Sequence, residues 1–397
     1  MKRKLVAGDC VVRSIVFAPF FSYEASTNRP RLVSEVLEQF GPVDIVTTRF
    51  DHQTKREKTL FQFGDQRKIY YLPTIPYYRN VSPIRFFSHF VFSLRAWFFF
   101  LRRMGEYDLI YVTLPLNLLA LLVFLTGRKK LRVADVVDIW PDVLPFPSLA
   151  KRVFRPFFAL WKWSFALAVN HCDALLTVSD KFMDESIMFF RGKNDAAVRI
   201  YIGAKRLPHK AARLAGRLTI AYIGNIGHLY DFETLLTAMQ AFQDEVQFFV
   251  IGDGDRKDWL LGELNRRNLM HCYFGVVYDD EKLAEILARC EWGFNGYKNT
   301  SAAFSYKANT YFSAGLPILN SMSGDLRDLV AEHGLGFNYT SGDVESLRCG
   351  IKDCLSRGGT SMSRSVDHFF ELEIEQKAIQ EKMTKFIDGL LQNRATL

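Results

Sequence analysis

A chain of 397 residues with 49% apolar residues can fill two cores of ordinary size, which excludes a disordered or single small-core protein. Its formal charge of +8 is unevenly spread: residues 1–217 hold 34 Lys and Arg against 18 Asp and Glu, whereas residues 218–397 hold 17 against 25. The first half is expected to meet something anionic, and six scattered cysteines without Cys-x-x-Cys or metal spacing fit a reducing compartment and exclude a zinc framework.

The N-terminus starts basic but reaches Gly8 and Asp9 before any apolar core develops, so no signal peptide is expected and the chain is expected to stay cytosolic. Ser14 to Phe21 is an apolar run of strand length. A polar loop follows, then the helical pattern Leu32, Val36, Leu37 and Phe40, then the strand Val43–Thr48. Such a β-loop-α-β opening produces a parallel sheet with right-handed crossovers. Further strands are expected at 68–72, 109–113, 133–137 and 174–178, which makes the first domain doubly wound. The apolar run 109–127 holds Pro115 and Asn117 and reads as strand, turn and buried helix rather than a membrane span.

Residues 84–104 place Phe87, Phe90, Val91, Leu94, Trp97, Phe98, Leu101 and Met104 on one stripe at helical spacing, and this stripe is expected to pack on the sheet. On the other side fall Phe92, Arg95, Phe99, Arg102 and Arg103, where a helix facing water is normally polar. The segment 150–166 repeats the theme with Lys151, Arg155, Phe158, Lys162 and Phe165, and with Trp161 and Trp163 nearby. Basic residues interleaved with aromatics suit an anionic membrane interface, at about 1 kcal/mol per basic residue. Between the two helices runs Val136-Val-Asp-Ile-Trp-Pro-Asp, a strand ending in acids. Strand C-termini of open α/β sheets are where ligands bind, which puts Asp138 and Asp142 at a site of chemistry; either also serves as a helix cap.

Residues 203–217 are polar, basic and poor in strand pattern, and read as a linker. A second β/α series begins with the strand Leu218–Ile223 and a glycine-rich turn carrying Gly224, Asn225, Gly227 and His228. The helix 231–242 follows, then the strand 246–251 ending in Gly252-Asp-Gly254-Asp. Strands at 271–274 and 292–295 precede a polar loop, a helix-competent segment around Lys307, and Gly315-Leu-Pro. Glycines at a βα turn let backbone approach a phosphate, and the helix end favours the anion. Residues 376–397 form an amphipathic helix.

The succession Tyr222-Ile-Gly-Asn-Ile-Gly, Val250-Ile-Gly-Asp-Gly, Lys307…Tyr311…Gly315-Leu-Pro and Gly334-Leu-Gly-Phe resembles the GT-B-fold glycosyltransferases of family 4. It is most similar to the fucosaminyltransferase-like branch of bacterial surface-polysaccharide enzymes, to which Tyr107-Asp-Leu-Ile-Tyr and Val137-Asp-Ile-Trp-Pro-Asp also correspond. The resemblance covers nearly the whole chain. It implies an α/β fold of two Rossmann-like doubly wound domains facing a central cleft: residues 1–205 for the acceptor and the membrane, residues 206–375 for the nucleotide-sugar, and a helix 376–397 crossing back to the first. It implies a metal-independent transferase of hexosyl type, with retention and no cofactor beyond the nucleotide-sugar donor. Asp253-Gly-Asp255 then matches a family loop and is not a metal-binding Asp-x-Asp.

The family's two glutamates, eight apart, fall on Ala302 and Thr310, so both are missing. The basic residue expected after Gly-Asn-x-Gly is His228, which offers less charge than arginine. As replacements, Lys307 and Lys298 are expected to supply cations to the donor diphosphate, N–H groups of Phe304, Ser305 and Tyr306 to bind phosphate, and Thr310 or Asn309 to hold the ribose. Lys307 as a solvated helix residue is the bland alternative. Asp138 or Asp142 is expected to orient or deprotonate the acceptor hydroxyl. The basic aromatic first domain points to a lipid-linked oligosaccharide acceptor at the inner face of the cell membrane, with no nucleic acid among the partners. The missing glutamates also fit a catalytically silent partner subunit of the same fold, and a nucleotide-sugar epimerase shares the fold as well.

Overall fold

Short, fully buried apolar runs separated by amphipathic segments assemble into two all-parallel sheets, because parallel strands need crossovers and the crossovers cover both faces. The computed structural model describes the chain except residues 1–10, 22–28, 53, 65, 80–81, 141–151, 153, 209–215, 299–303, 358–359 and 396–397. Two compact units result: residues 1–202 with 379–397, and residues 203–378.

The sheet of the first unit contains β1 (Ser14–Phe17), β2 (Val43–Thr48), β3 (Arg67–Leu72), β4 (Leu109–Leu114), β5 (Leu131–Val136), β6 (Ala174–Thr177) and β7 (Ala197–Arg199). Their order is β3-β2-β1-β4-β5-β6-β7. The chain reverses direction across the sheet between β1 and β4, which creates a switch point where loops diverge. Between strands lie α1 (Arg29–Leu37), α2 (Pro83–Arg103), α3 (Asn117–Thr126), α4 (Arg155–Asn170) and α5 (Asp180–Ile187). The run 109–127 is thus strand, turn and helix. A buried ion pair ties α1 to β5: Arg29 grips Asp135 at 2.7 Å and 2.8 Å and also donates to the carbonyls of Ile200 and Tyr201. Removing one partner would strand a buried charge.

The packing of α2 reverses the expectation from its sequence. The buried face consists of Arg85, Ser88, His89, Phe92, Ser93, Ala96 and Phe100, at spacings of three and four. Phe87, Phe90, Phe98 and Leu101, predicted to lie on the sheet, are exposed, with Phe87 56% accessible. Phe92, predicted on the outer face, is buried in the core. The polar inner residues have partners that accompany the reversal: Thr74 bonds to Ser88 Oγ at 2.7 Å, His89 stacks on Trp140, and Ser93 Oγ donates back to the His89 carbonyl at 2.8 Å. Phe165 of α4, also assigned to the outer face, is likewise buried. Residues 83–106 are long and apolar enough to cross a membrane by length and composition, yet this helix lies with one face on the sheet.

The second unit holds β8 (Leu218–Ile223), β9 (Val246–Ile251), β10 (His271–Gly275), β11 (Trp292–Asn295), β12 (Ile318–Asn320) and β13 (Gly336–Asn338) in the order β10-β9-β8-β11-β12-β13. Its crossovers include α6 (Phe232–Met239), α7 (Lys257–Arg266), α8 (Asp280–Leu287), α9 (Tyr306–Ser313), α10 (Asp325–His333) and α11 (Val344–Arg357), followed by α12 (Thr360–Phe369). Trp292, Phe294, Tyr222, Phe232 and Phe248 centre its core. The stretch read as a linker is part of this unit where it is described: Ala204 N–H donates to Ile374 O at 2.9 Å and Leu207 N–H to Ser313 O at 3.2 Å. The last helix, α13 (Gln376–Ala395), starts in the second unit and belongs to the first from Ile379 onward.

Candidate functional site

At the C-terminal edge of the second sheet, the turns after β8 and β9 lie backbone against backbone. A Cβ on Gly252, whose φ is +140°, would stand 1.9 Å from the Gly224 carbonyl oxygen, and one on Gly254 would stand 2.4 Å from that of Ile226. Only glycine permits this approach. The turns are zipped by Ile226 N–H to Asp253 O at 2.8 Å and Arg256 N–H to Ile226 O at 3.0 Å. Gly227 is buried beneath, and Asn225 and His228 face out. His228 stands 3.7 Å from Asp255, so an imidazolium here would have a carboxylate beside it.

Above these turns α9 delivers Lys307. Far from being a solvated helix residue, it is only 9% exposed. Its Cε is the nearest atom to a Cβ built on Gly224, at 3.0 Å, and its ammonium donates to the Tyr222 hydroxyl at 2.6 Å and lies 3.1 Å from the Tyr230 ring centroid. Tyr297 adds a third ring at 5.4 Å. Burial in this aromatic cage holds the ammonium well below the ordinary lysine range, so its charge is poised to be stabilised by an anion. Tyr311, one turn on, accepts from Ile223 N–H at 3.0 Å and donates to Phe294 O at 3.2 Å, which fixes α9 against β8 and β11.

The start of α9 is set by an asparagine ladder that sequence reading missed. Asn295, Asn320 and Asn338 end three successive strands in register. Asn295 Nδ2 donates to Asn320 Oδ1 and Asn320 Nδ2 to Asn338 Oδ1, both at 2.8 Å. Ser305 Oγ donates to Asn295 Oδ1 at 2.8 Å while accepting from Ala308 N–H as the N-cap. The cap residue is thereby locked by the sheet, and the first turn of α9 starts at Tyr306, beside Phe304 and Ser305. The signal was present as Gly-Phe-Asn, Ile-Leu-Asn and Gly-Phe-Asn, an apolar residue followed by Asn at each strand end.

Two expected donor contacts have other partners. Lys298 pairs with Glu233 at 2.8 Å, and Glu233 also holds Arg256 at 2.7 Å. Burial raises the Glu233 carboxyl, but hydrogen bonds from Lys298 and Arg256 outweigh it and leave the pKa lowered. Thr310 donates to Tyr306 O at 3.3 Å. Ala302 lies outside the described residues.

In the first unit, the same sheet edge carries a second cluster. Arg85 lies buried with its guanidinium 4.4 Å from the Trp140 ring centroid, and His89 stacks on Trp140 at 5.4 Å. His52 Nδ1 meets Tyr77 Oη at 2.9 Å. Burial and the neighbouring Arg85 push His52 down to about 4 and His89 to about 3, so both rings are neutral at pH 7. Burial raises the Asp138 carboxyl, partly offset by the Trp140 indole donating at 2.7 Å. Lys58 donates to Pro19 O at 3.1 Å and to Thr47 Oγ1 at 3.0 Å, and burial lowers it to about 7. Asp142 and Lys151 lie outside the described residues.

On the outer face, Arg95, Phe99, Arg102 and Arg103 are brought together with Leu72 and Phe98 around a hollow of about 480 Å³. Phe99 and Arg103 also pack on Tyr70, at 4.7 and 4.9 Å. Phe86 of α2 touches Phe157 and Trp161 of α4, which puts the exposed Phe87 and Phe90 on helices adjacent to the exposed Phe157, Leu160 and Trp163. Arg155 and Lys162 are exposed on α4. Among the described residues, no group of three or more His, Cys, Asp or Glu side chains gathers as a metal site.

Residues 205–365 match the family model described as Glycosyl transferases group 1. No curated protein matches the sequence. Among solved structures, the chain is similar to sucrose-phosphate synthase from Thermosynechococcus elongatus, at 14% identity and TM-score 0.69, covering 96% of this chain and 100% of that one. It is also similar to HepE of Anabaena in complex with UDP and glucose, at 13% identity and TM-score 0.64 over 95% and 100% of the two chains. A third is the lipopolysaccharide outer core galactosyltransferase WaaB in its apo form, at 13% identity and TM-score 0.65 over 95% and 99%.

Proposed function

We propose that the chain, a glycosyltransferase of the GT-B fold, moves a sugar from a nucleotide-sugar to a lipid-linked oligosaccharide in surface-polysaccharide synthesis, with retention and without a metal. The observation that carries the reading is the zipped glycine turns of Gly224 and Gly252 beneath Lys307 and the Ser305 cap. Backbone N–H groups, a helix start and one desolvated ammonium suit a diphosphate leaving group. As the bond from the anomeric carbon to the diphosphate breaks, its electron pair leaves with the diphosphate. The acceptor oxygen bonds to the same carbon and its proton passes to a base, for which Asp138, with its raised carboxyl, is the candidate. Membership in family 4 and its fucosaminyltransferase-like branch rests on the sequence resemblance.

The acceptor and membrane side rests on the exposed aromatic faces of α2 and α4 with Arg95, Arg102, Arg155 and Lys162 beside them. Such a surface suits the headgroup region of an anionic inner leaflet. The reading is tested by incubating the protein with a panel of nucleotide-sugars, including UDP-sugars, and a polyprenyl-diphosphate acceptor. Nucleoside diphosphate release that depends on acceptor supports it; donor binding without any turnover favours the silent-subunit alternative. Flotation with phosphatidylglycerol vesicles tests the membrane part, which fails if binding is absent at low salt.

A further inference from the structure

The first unit carries a cavity that the proposed reaction does not use. It opens at the N-terminal edge of the first sheet, where β5, β6 and β7 begin, whereas Asp138 and Trp140 follow the opposite end of β5. Its volume is about 510 Å³. Three separate segments bring cations to it: Arg128 and Lys130 before β5, Arg191 and Lys193 before β7, and Arg394 from the last turn of α13.

Two carboxylates, Asp173 and Asp195, offset part of this charge. Asp173 is gripped by Arg132, whose Nη2 and Nε reach it at 2.5 and 2.9 Å. Arg394 donates to the carbonyl of Lys129. Arg128, Lys130, Arg191 and Lys193 make no ion pair or side-chain hydrogen bond among the described residues. Cations gathered on low-dielectric walls repel one another and focus a positive potential into the space between them, and an anion relieves both. Part of its lining is apolar, from Leu131, Cys172 and Leu390. Among the described residues no Phe, Tyr or Trp lines the cavity, so they offer no stacking platform for a nucleobase.

We infer that this cavity binds a phosphate-bearing anion at a site separate from sugar transfer. The guanidinium forks of Arg128 and Arg191 match phosphate oxygens, and the volume accommodates a diphosphate or one headgroup rather than a polymer. Because Asn393 and Arg394 form part of the wall, the bound anion also fastens the end of α13 to the first unit. The phosphate comes either from a soluble compound or from an anionic lipid headgroup.

The test is lysine acetylation of the full chain read by mass spectrometry, with inorganic pyrophosphate and with phosphatidylcholine vesicles containing phosphatidylglycerol as the two probes. Lys130 and Lys193 are expected to be protected, while exposed Lys352 is not. Reading individual lysines separates this site from pyrophosphate bound in the second unit, so the inference can fail while the proposed function stands. In R128Q/R191Q the pyrophosphate concentration for half-protection is expected to rise roughly a hundredfold or more, as loss of two charge-assisted contacts requires. Protection by pyrophosphate assigns a soluble ligand; protection by the vesicles alone, lost in the variant, assigns a headgroup. If the double variant does not fold, Arg191→Gln at an exposed position carries the same comparison. Equal acetylation with and without both probes, or protection unchanged in the variant, overturns the inference.

Discussion

Replacing Lys307 with Met separates the donor role of this side chain from its structural role. The ammonium's bond to Tyr222 at 2.6 Å is a charge-assisted contact of about 1.5–3 kcal/mol. Its approach to the Tyr230 ring adds about 2 kcal/mol where water is excluded. Against these stands the desolvation of an ammonium with 9% exposure, which amounts to several kcal/mol and is the cause of its lowered pKa. Methionine fills the stem against Gly224 without a charge to desolvate. The terms nearly cancel, and K307M should keep its unfolding free energy within about 1 kcal/mol of the parent. Binding of the preferred nucleoside diphosphate, measured by calorimetry, should instead weaken about 10- to 100-fold, the loss of one charge-assisted contact. Parent affinity should fall as pH rises through the lowered lysine pKa, below the ordinary 10.5, because only the ammonium attracts phosphate; K307M should be flat there. Unchanged affinity in a folded K307M would refute the reasoning, as would a loss of affinity matched by an equal loss of stability.

Gly252→Ala should destabilise the second unit by about 1–3 kcal/mol in chemical denaturation and abolish nucleotide binding, since its Cβ would meet the Gly224 carbonyl at 1.9 Å. Asn320→Ala breaks the ladder in the middle and leaves Asn295 and Asn338 each short of a buried partner, so a loss of about 2–3 kcal/mol is expected, with weaker nucleotide binding through the displaced Ser305 cap. For His52 and His89 the folded pKa values lie below the unfolded 6.5, so the unfolded chain binds more protons as pH falls. Stability of the first unit should therefore be complete above pH 6.5 and decline toward pH 4 and below, and His89→Phe should flatten that decline in thermal melts. Converting Phe98 and Trp163 to Ser should abolish vesicle flotation while leaving nucleotide binding intact.

The alternation of strands and helices was legible because buried parallel strands are short continuous apolar runs; β8, β9 and β11 fall where the residues place them. The inner face of α2 was not. With Phe at positions 86, 87, 90, 92, 98, 99 and 100, spacing alone does not select a face, and the helix buries Ser88, which bonds to Thr74, His89, which stacks on Trp140, and Ser93, which donates back to the His89 carbonyl. The glycine turns were legible for a steric reason visible in composition. The asparagine ladder was hidden because Asn at a strand end usually signals a turn, and pairing Asn295 with Asn320 and Asn338 requires the register of three strands. Lys307 stood in a polar run, and nothing local reveals that Tyr222 and Tyr230, some eighty residues earlier, enclose it.

The central claim is that the turns of Gly224 and Gly252 with Lys307 hold a nucleotide-sugar whose sugar is transferred. The direct measurement is mass-spectrometric detection of product from a panel of nucleotide-sugars and a polyprenyl-diphosphate-linked acceptor, with the parent protein and K307M side by side. The account predicts a glycosylated acceptor and stoichiometric nucleoside diphosphate from the parent, both reduced in K307M. Tight nucleotide binding with no product from any donor would contradict it.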